Sequence, residues 1–166
     1  LQGSLSNVAA GVMLIIFRQI KVGQFVESGG VSGTVEKVGI FNTMLITVDN
    51  KVIYIPNSKL INDNIINYSE KDTRRIDLVF SISYEDDIDK TKKVIQDLLV
   101  AEQNVLKNPE PVVAVGELTD NGVNIFVRPW VSTSNYLDTK FRLTELIKKK
   151  FDEENKKPEA DKCAVC

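Results

Sequence analysis

The most informative segment of this sequence spans residues 24–68 and reads "QFVESGGVSGTVEKVGIFNTMLITVDNKVIYIPNSKLINDNIINY". Short runs rich in β-branched residues alternate in it with turn residues, which is typical of strands. Its turns ESGG and VDNK contain glycine and asparagine, which adopt positive φ readily. Gly33 and Gly39 fall inside a predicted strand and indicate bulges or sharp bends. We therefore predict a small, strongly curved all-β barrel of five strands.

The segment before the barrel, "LQGSLSNVAAGVMLIIFR" (residues 1–18), has the spacing of a helix. Gly3, Asn7 and Gly11 form a face of small residues, and an apolar face is formed by Leu5, Val8, Val12 and Ile15. Glycine costs about 1 kcal/mol relative to alanine inside a helix, so two glycines at this spacing indicate close packing or bending. The apolar run, residues 8–17, is well short of the roughly twenty residues that a membrane span requires. We expect the chain to be a piece of a longer protein.

After "SEKDTRR" the pattern changes to the order β-α-β-β-α. The predicted strands are "IDLVFSISY", "PVVAVGEL" and "VNIFVRPWV", with "TDNG" as a hairpin signal and Pro129 marking an edge or irregular strand. One helix begins near Asp87 and the other runs to about Phe151. The residues predicted to face inward are Ile88, Ile95, Leu98 and Leu99 in the first helix, and Phe141, Leu146, Ile147 and Phe151 in the second. This half of the chain is predicted to be an open α+β sandwich.

Composition argues against most enzyme chemistry. The 21 basic residues are balanced by 23 acidic ones, and histidine is absent. Without histidine the chain lacks the usual general base near neutral pH and the commonest metal ligand. We find no motif for catalysis, phosphate binding or metal binding, and we expect no cofactor.

Three polar motifs have a structural and a functional interpretation. The acids of "YEDDID" fit helix capping better than a cation site. Arg74 and Arg75 of "DTRR" fit a charged strand entrance better than a phosphate site. Cys163 and Cys166 form a CxxC pair that is half a zinc site or a redox pair, although a solvated tail is the simpler interpretation.

Two segments carry a family resemblance, namely "LQGSLSNVAAGVMLIIFR" and "VIYIPNSKLINDNIINYS" with its Pro-Asn-x-Lys motif. Together with "GGVSGTVEKVGIFNT" between them, they resemble the bacterial small-conductance mechanosensitive channel family from Leu1 to about Glu154. The resemblance implies a mixed fold, in which an interfacial helix is followed by a small Sm-like β barrel and an α+β (βαββα) domain. It implies the lower half of the pore helix in residues 1–20, the β domain in 21–69, the cytoplasmic α/β domain in 70–155 and a polar tail in 156–166.

The resemblance also implies sites. The pore-lining third transmembrane helix of the family kinks at a glycine that matches Gly3, and Gly11 matches a second glycine lower in the same helix, so both are implied as sites of kinking or gating. An asparagine on the lower helix, matched by Asn7, meets the Pro-Asn-Gly segment, matched at Asn57, in a contact implicated in inactivation. Ser58 stands where that glycine often does. After Asn155 the family usually has an apolar strand that closes the cage, whereas this chain has "KKPEADKCAVC".

By resemblance, the function is that of the cytoplasmic vestibule of a homoheptameric channel in the bacterial inner membrane. Such a channel is not an enzyme: it opens under membrane tension and releases ions and small osmolytes, and it contacts lipid through its membrane helices and residues 1–20. The alternatives are an Sm-like ring that binds nucleic acid, which the balanced charge disfavours, and a thiol enzyme built on Cys163 and Cys166. We expect no nucleic-acid partner.

Overall fold

The computed structural model describes residues 1–156 and divides the chain into two compact units, Leu1–Lys71 and a second unit that begins at Asp72. Cys163 and Cys166 lie outside the described residues, as does the predicted tail from residue 157 on. The two units confirm the predicted mixed fold of an N-terminal helix, a small all-β part and an α+β part. None of the helices in residues 1–156 combines the length and the hydropathy needed to cross a membrane.

The first unit contains two helices and one antiparallel sheet. Its elements are α1 (Gln2–Phe17), β1 (Phe25–Ser28), β2 (Val31–Val38), β3 (Asn42–Ile46), β4 (Val52–Pro56), α2 (Asn57–Asn62) and β5 (Ile65–Asn67). The strands lie in the order β4-β3-β2-β1-β5, and each neighbouring pair is antiparallel. All five predicted strands are present, whereas the short helix α2 was not predicted.

The turns of this sheet use the residues that the sequence indicated. Gly29 and Gly30 have φ of 58° and 81°, and Asn50 has φ of 64°. Gly39 lies in the sharp bend after β2, where its N–H donates to the carbonyl of Asn42 at 2.8 Å. Of the bulge or sharp bend predicted at Gly33, the bulge is wrong, because the register shifts between Val35 and Lys37. Gly33 instead permits close approach, since a Cβ there would lie 2.7 Å from the carbonyl oxygen of Ile46.

The core of the first unit joins the sheet to α1 and α2. Leu14 of α1 is 1% exposed and Ile20, which follows α1, is 3% exposed. They share one apolar cluster with Val26, Val35, Leu45, Ile55 and Leu60. Full burial of such a side chain contributes about 1.5–3 kcal/mol, so Leu14 holds the C-terminal half of α1 on the sheet.

The second unit has the predicted β-α-β-β-α order with an added two-stranded sheet. Its elements are β6 (Thr73–Arg75), β7 (Leu78–Ile82), α3 (Ile88–Ala101), β8 (Val112–Thr119), β9 (Gly122–Arg128), β10 (Trp130–Ser132), a 3-10 turn (Thr133–Asn135) and α4 (Tyr136–Lys156). The antiparallel sheet has the order β7-β9-β8, and β6 pairs with β10. Pro129 separates β9 from β10, and "TDNG" forms the β8–β9 hairpin, where Thr119 faces Gly122.

Alternate residues of β7, β8 and β9 form one core with α3 and α4. Buried residues of the helices in this core are Ile95, Leu99, Leu143 and Ile147. Three predicted inward residues are wrong: Phe141 is 66% exposed, Leu146 is 37% exposed and Ile88 is 36% exposed. Phe141 lies about 200° around the helix from Leu143, at 100° per residue, and so points away from the core. Ile88 is the first residue of α3, at the end of the helix.

The charged motifs of the second unit have structural partners. Asp87 is the N-cap of α3 and accepts a hydrogen bond from the N–H of Lys90 at 2.9 Å, which confirms the capping interpretation of "YEDDID". Arg75 donates to Asp77 through Nε at 2.7 Å, and this contact raises the pKa of Arg75. The guanidinium of Arg74 lies 3.7 Å from the ring centre of Tyr136. These contacts favour the structural interpretation of "DTRR".

Candidate functional site

Two of the four predicted site residues meet directly. Asn7 of α1 and Asn57 at the start of α2 are brought together, and Gly11 lies one helical turn beyond Asn7 on the same face. Gly3 lies apart, because a Cβ built on it would have no atom within 4 Å. We call the contact of Asn7 and Gly11 with the turn after β2 and the start of α2 the docking site.

The local sequence explains why Asn57 is available. Pro56 ends β4 and stands at the N-cap position of α2 with φ of −55°, and its side chain offers no oxygen to cap the helix. The first N–H groups of any helix lack partners within the helix. The backbone N–H of Asn57 therefore donates to the carbonyl of Phe41 at 3.0 Å. The backbone of Asn57 is therefore held by a hydrogen bond that does not involve its side chain.

The side chain of Asn57 is completely buried and fully engaged. Its Nδ2 donates to the carbonyl oxygens of Gly39 at 2.9 Å and Ile40 at 3.0 Å, and lies 3.5 Å from the carbonyl oxygen of Asn7. Its Oδ1 accepts from the hydroxyl of Thr43, also completely buried, at 3.0 Å. A buried amide with both ends paired is held in one orientation, because any rotation leaves polar atoms without partners.

Asn7 completes the capping of α2 from outside that helix. Its Oδ1 accepts from the backbone N–H of Ser58 at 2.9 Å and from the hydroxyl of Ser58 at 2.8 Å. The first of these bonds does for α2 what an N-cap side chain ordinarily does. We call β1–β5 together with α2 the β unit. The bond from Ser58 to Asn7 forms only while α1 lies on this β unit, so the cap and the docking of α1 are coupled.

Gly11 is required by the space available at the docking site. A Cβ at this position would lie 2.5 Å from the carbonyl oxygen of Ile40 and 2.6 Å from Nδ2 of Asn57. Real Cβ atoms do not approach other heavy atoms so closely, and the Ile40 neighbour is backbone that cannot rotate away. The predicted face of small residues is therefore the packed face at Gly11, with Ala10 and Leu14 buried beside it.

The opposite side of α1 is apolar and exposed. Exposed side chains there include Leu5 at 72%, Val12 at 48% and Ile15 at 52%, all three from the predicted apolar face. Phe17, at the end of α1, is 64% exposed. In α1, then, Ala10, Gly11 and Leu14 are buried, whereas these large apolar side chains remain exposed.

The site has the chemistry of a mechanical contact. Its side chains are neutral amides and hydroxyls, which form hydrogen bonds but do not ionise near neutral pH. Among residues 1–156, no three carboxylate, cysteine or histidine side chains are placed to share a metal ion. The arrangement holds α1 in place by hydrogen bonds and close packing.

A second polar cluster in the other unit fastens the end of α3. Arg142 of α4 donates to both carboxylate oxygens of Glu102, through Nε at 2.8 Å and Nη2 at 2.7 Å. Hydrogen bonding from the Arg142 guanidinium is the main cause of the lowered pKa of Glu102, and burial of the carboxylate acts in the opposite direction. Glu102 also accepts from the N–H of Asn104, whose side chain donates to the buried hydroxyl of Thr139. We interpret this cluster as structural.

Sequence reasoning missed part of the docking site. Thr43 could have been found, because it shares the inward face of β3 with Leu45, and a threonine on a buried face requires a hydrogen-bond partner. The carbonyl oxygens of Gly39 and Ile40 have no sequence signature, because every residue has a carbonyl.

Comparison with known proteins identifies the family that this chain resembles. The family model for the mechanosensitive ion channel beta-domain matches residues 3–70, and the one for the C-terminal part of the mechanosensitive ion channel MscS matches residues 76–157. An uncharacterized MscS family protein of Synechocystis is 46% identical over 155 residues, which cover 93% of this chain and 52% of that protein. The small-conductance mechanosensitive channel of Edwardsiella ictaluri is 43% identical, with 93% and 54% covered.

Solved structures agree with these matches. The crystal structure of Helicobacter pylori MscS in a closed state matches with a TM-score of 0.87 and 30% identity, over 92% of this chain and 60% of that one. The cryo-EM structure of Arabidopsis thaliana MSL1 matches with a TM-score of 0.77 over 92% of this chain and 57% of that one, and at 19% identity it shows the fold alone. The chain spans about half the length of the curated relatives named above. It belongs to the small-conductance mechanosensitive channel (MscS) family.

Proposed function

We propose that this chain is the cytoplasmic vestibule portion of a channel that opens under membrane tension and releases ions and osmolytes during hypo-osmotic shock. Membership of the MscS family supports the class of activity. The observation that carries the proposal is the docking site, because a closed channel requires its helix to be held in a defined position and the docking site holds α1 in one. Nothing in such a function requires a covalent step, and we infer that the protein is not an enzyme.

We further propose that residues 1–20 are the lower half of the pore helix and that Gly3 and Gly11 are its bending points. The β domain would then occupy residues 21–69 and the cytoplasmic α/β domain residues 70–155. Exposed apolar side chains on the outer side of α1 support the assignment, since they suit lipid or neighbouring channel helices better than water. The open space around Gly3 leaves the first turns of α1 free to change direction.

We propose that the contact of Asn7 with Asn57 and Ser58 governs inactivation. While the contact holds, α1 is fixed to the β unit through two hydrogen bonds at Ser58, the close approach at Gly11 and the burial of Leu14. Membrane tension favours the state of larger area, and it must act against these interactions when α1 moves. A glycine at position 58 would supply only the backbone bond, so the hydroxyl of Ser58 strengthens the contact in this chain.

We infer a homoheptameric assembly in a bacterial inner membrane, with this portion on the cytoplasmic side. Similarity to channel proteins supports an oligomer, because a pore needs several copies of its lining helix. Its partners are then further copies of the chain, membrane lipid, and the permeating ions and small osmolytes. The formal net charge of −2 gives little support to the alternative of a nucleic-acid-binding ring, and the comparisons give it none.

The test is survival of hypo-osmotic shock. The complete protein that contains this chain is produced in a bacterial strain that lacks its own mechanosensitive channels, and cells are moved suddenly to dilute medium. The proposal predicts that survival rises well above that of the empty strain. If membrane-inserted protein leaves survival at the level of the empty strain, the proposal is wrong.

A further inference from the structure

Thr43 is a buried polar residue of the first unit. It lies on the inward face of β3 beside Leu45, and both side chains are completely buried. Its hydroxyl donates to Oδ1 of Asn57 at 3.0 Å, across 14 positions of sequence. No hydrogen bond joins Thr43 to α1 within the described residues, so any influence it has on α1 passes through Asn57.

The two ends of the Asn57 amide are held by different groups. The Nδ2 end faces the carbonyl oxygens of Gly39 and Ile40 and the backbone of Asn7. At the Oδ1 end, the bond from Thr43 is the contact that the described residues provide. Without this donor a buried carbonyl oxygen would be unpaired, which favours rotation of the side chain out of its pocket.

The space at the docking site makes α1 sensitive to such a rotation. Nδ2 of Asn57 lies 2.6 Å from the position that a Cβ on Gly11 would occupy. Because Gly11 has no Cβ, α1 and the amide lie close together here, and an amide displaced toward α1 would press on the backbone of Gly11. The orientation of Asn57 therefore bears on how closely α1 packs at Gly11.

We propose that Thr43 is a positioning residue, which fixes the Asn57 amide and thereby sets how firmly α1 is docked. The inference rests on the proposed function only for its effect on channel gating. The positioning of Asn57 by Thr43, and its effect on the docking of α1, do not depend on the channel function.

The experiment measures backbone hydrogen–deuterium exchange of the full 166-residue chain by mass spectrometry. Thr43→Val keeps the shape of the side chain and removes the donor, whereas Thr43→Ser keeps the donor. Thr34→Val makes the same change in neighbouring β2, at a residue that is not a hydrogen-bond partner of Asn57. Loss of a buried hydrogen bond should speed exchange of peptides from α1 about tenfold in Thr43→Val, since amides exchange through local opening.

The control variants decide between positioning and general stability. We expect Thr43→Ser and Thr34→Val to exchange like the unmodified chain in α1, and β9 of the second unit to be unchanged in all variants. Three results would overturn the proposal: α1 exchange unchanged in Thr43→Val, equal acceleration in Thr43→Ser, or equal acceleration across β1–β5. If Thr43→Val does not fold, Thr43→Cys places a weaker donor there, and its α1 exchange should lie between that of Thr43→Ser and that of Asn57→Ala.

The channel assay is kept separate. In the complete protein, Thr43→Val should slow the decay of current under sustained tension, and Thr43→Ser should not. A complete protein that never responds to tension would defeat the proposed function and leave the exchange result standing. An unchanged exchange pattern would defeat the role of Thr43 and leave the channel function standing.

Discussion

Oδ1 of Asn7 accepts two hydrogen bonds from Ser58, one from its backbone N–H at 2.9 Å and one from its hydroxyl at 2.8 Å. The two residues are 51 positions apart, and one belongs to α1 while the other lies in the first turn of α2. A single side-chain oxygen thus ties the N-terminal helix to α2. The consequences of this tie can be measured.

Removing the hydroxyl of Ser58 should weaken the docking of α1. Ser58→Ala keeps the backbone donor and loses one hydrogen bond, which is worth about 0.5–1.5 kcal/mol. Asn7→Ala loses both bonds and should have the larger effect. Hydrogen exchange of α1 measures the change, and Ser4→Ala, at an exposed position of the same helix, is the control. Equal exchange in Ser58→Ala and the unmodified chain would show that the hydroxyl contributes nothing.

The two glycines of α1 should respond in opposite ways to alanine. Gly3→Ala meets no neighbouring atom and gains helix propensity of up to about 1 kcal/mol, so exchange of α1 should be unchanged or slower. Gly11→Ala places a methyl group 2.5 Å from the carbonyl oxygen of Ile40, so α1 must lift from the sheet and its exchange should accelerate. If both variants protect α1 equally, the close approach at Gly11 is not a constraint.

Which face of α4 lies on the core can be tested with two alanine substitutions. Leu143 is completely buried, and its replacement by alanine should cost about 2–5 kcal/mol in the free energy of unfolding of the second unit. Phe141 is 66% exposed, and Phe141→Ala should change that free energy by less than about 0.5 kcal/mol. Urea unfolding followed by the fluorescence of Trp130, the one tryptophan of the chain, gives both values. A larger loss at Phe141 would reverse the assigned face.

The Glu102–Arg142 pair predicts a pH dependence. The pKa of Glu102 is lowered in the folded chain, chiefly by its hydrogen bonds from Arg142, so its contribution to stability is present above the ordinary value of 4.5. That contribution is lost as the pH falls through the lowered folded pKa. The stability difference between the unmodified chain and Glu102→Gln should therefore be steady near neutral pH and shrink below about pH 4.5.

The matched control is Glu145→Gln, which removes the partner of Lys149 on the exposed side of α4. Both side chains of that pair are about two-thirds exposed, so the pair should contribute little to stability at any pH. A stability difference for Glu102→Gln that does not vary with pH would contradict the ion pair.

The mass of the chain in solution tests the proposed ring. Light scattering after gel filtration, with detergent present to cover the apolar side of α1, should give seven times the 18.6 kDa of one chain. A mass of one chain would mean that residues 1–166 do not hold the ring together, and would place its assembly in other parts of the protein.

The sequence predicted those features that depend on local chemistry. Gly29, Gly30 and Asn50 were assigned to turns because few other residues adopt positive φ, and each does so. Asp87 was assigned to a helix start because its carboxylate can accept a backbone N–H, as it does. Such features need only a few neighbouring residues.

Features that depend on distant atoms were predicted less well. Gly33 indicated a bulge or a sharp bend, yet the bulge lies elsewhere and Gly33 allows β3 to pass closely. A glycine in the sequence does not distinguish these uses. Phe141 was placed inward by its hydrophobicity, although the helical phase set by Leu143 and Ile147 turns it outward. The pairing of Asn7 with Asn57 came from family resemblance, because Nδ2 of Asn57 contacts backbone carbonyl oxygens, which have no sequence signature.

The most direct test of the account is the current through the complete protein in a membrane patch held at constant tension. We predict that tension opens the channel, that the current then decays, and that Asn7→Ala slows this decay while Ser4→Ala does not. A protein that conducts no current at any tension below rupture would contradict the channel function. Equal decay in Asn7→Ala and the unmodified protein would contradict the role of the docking site.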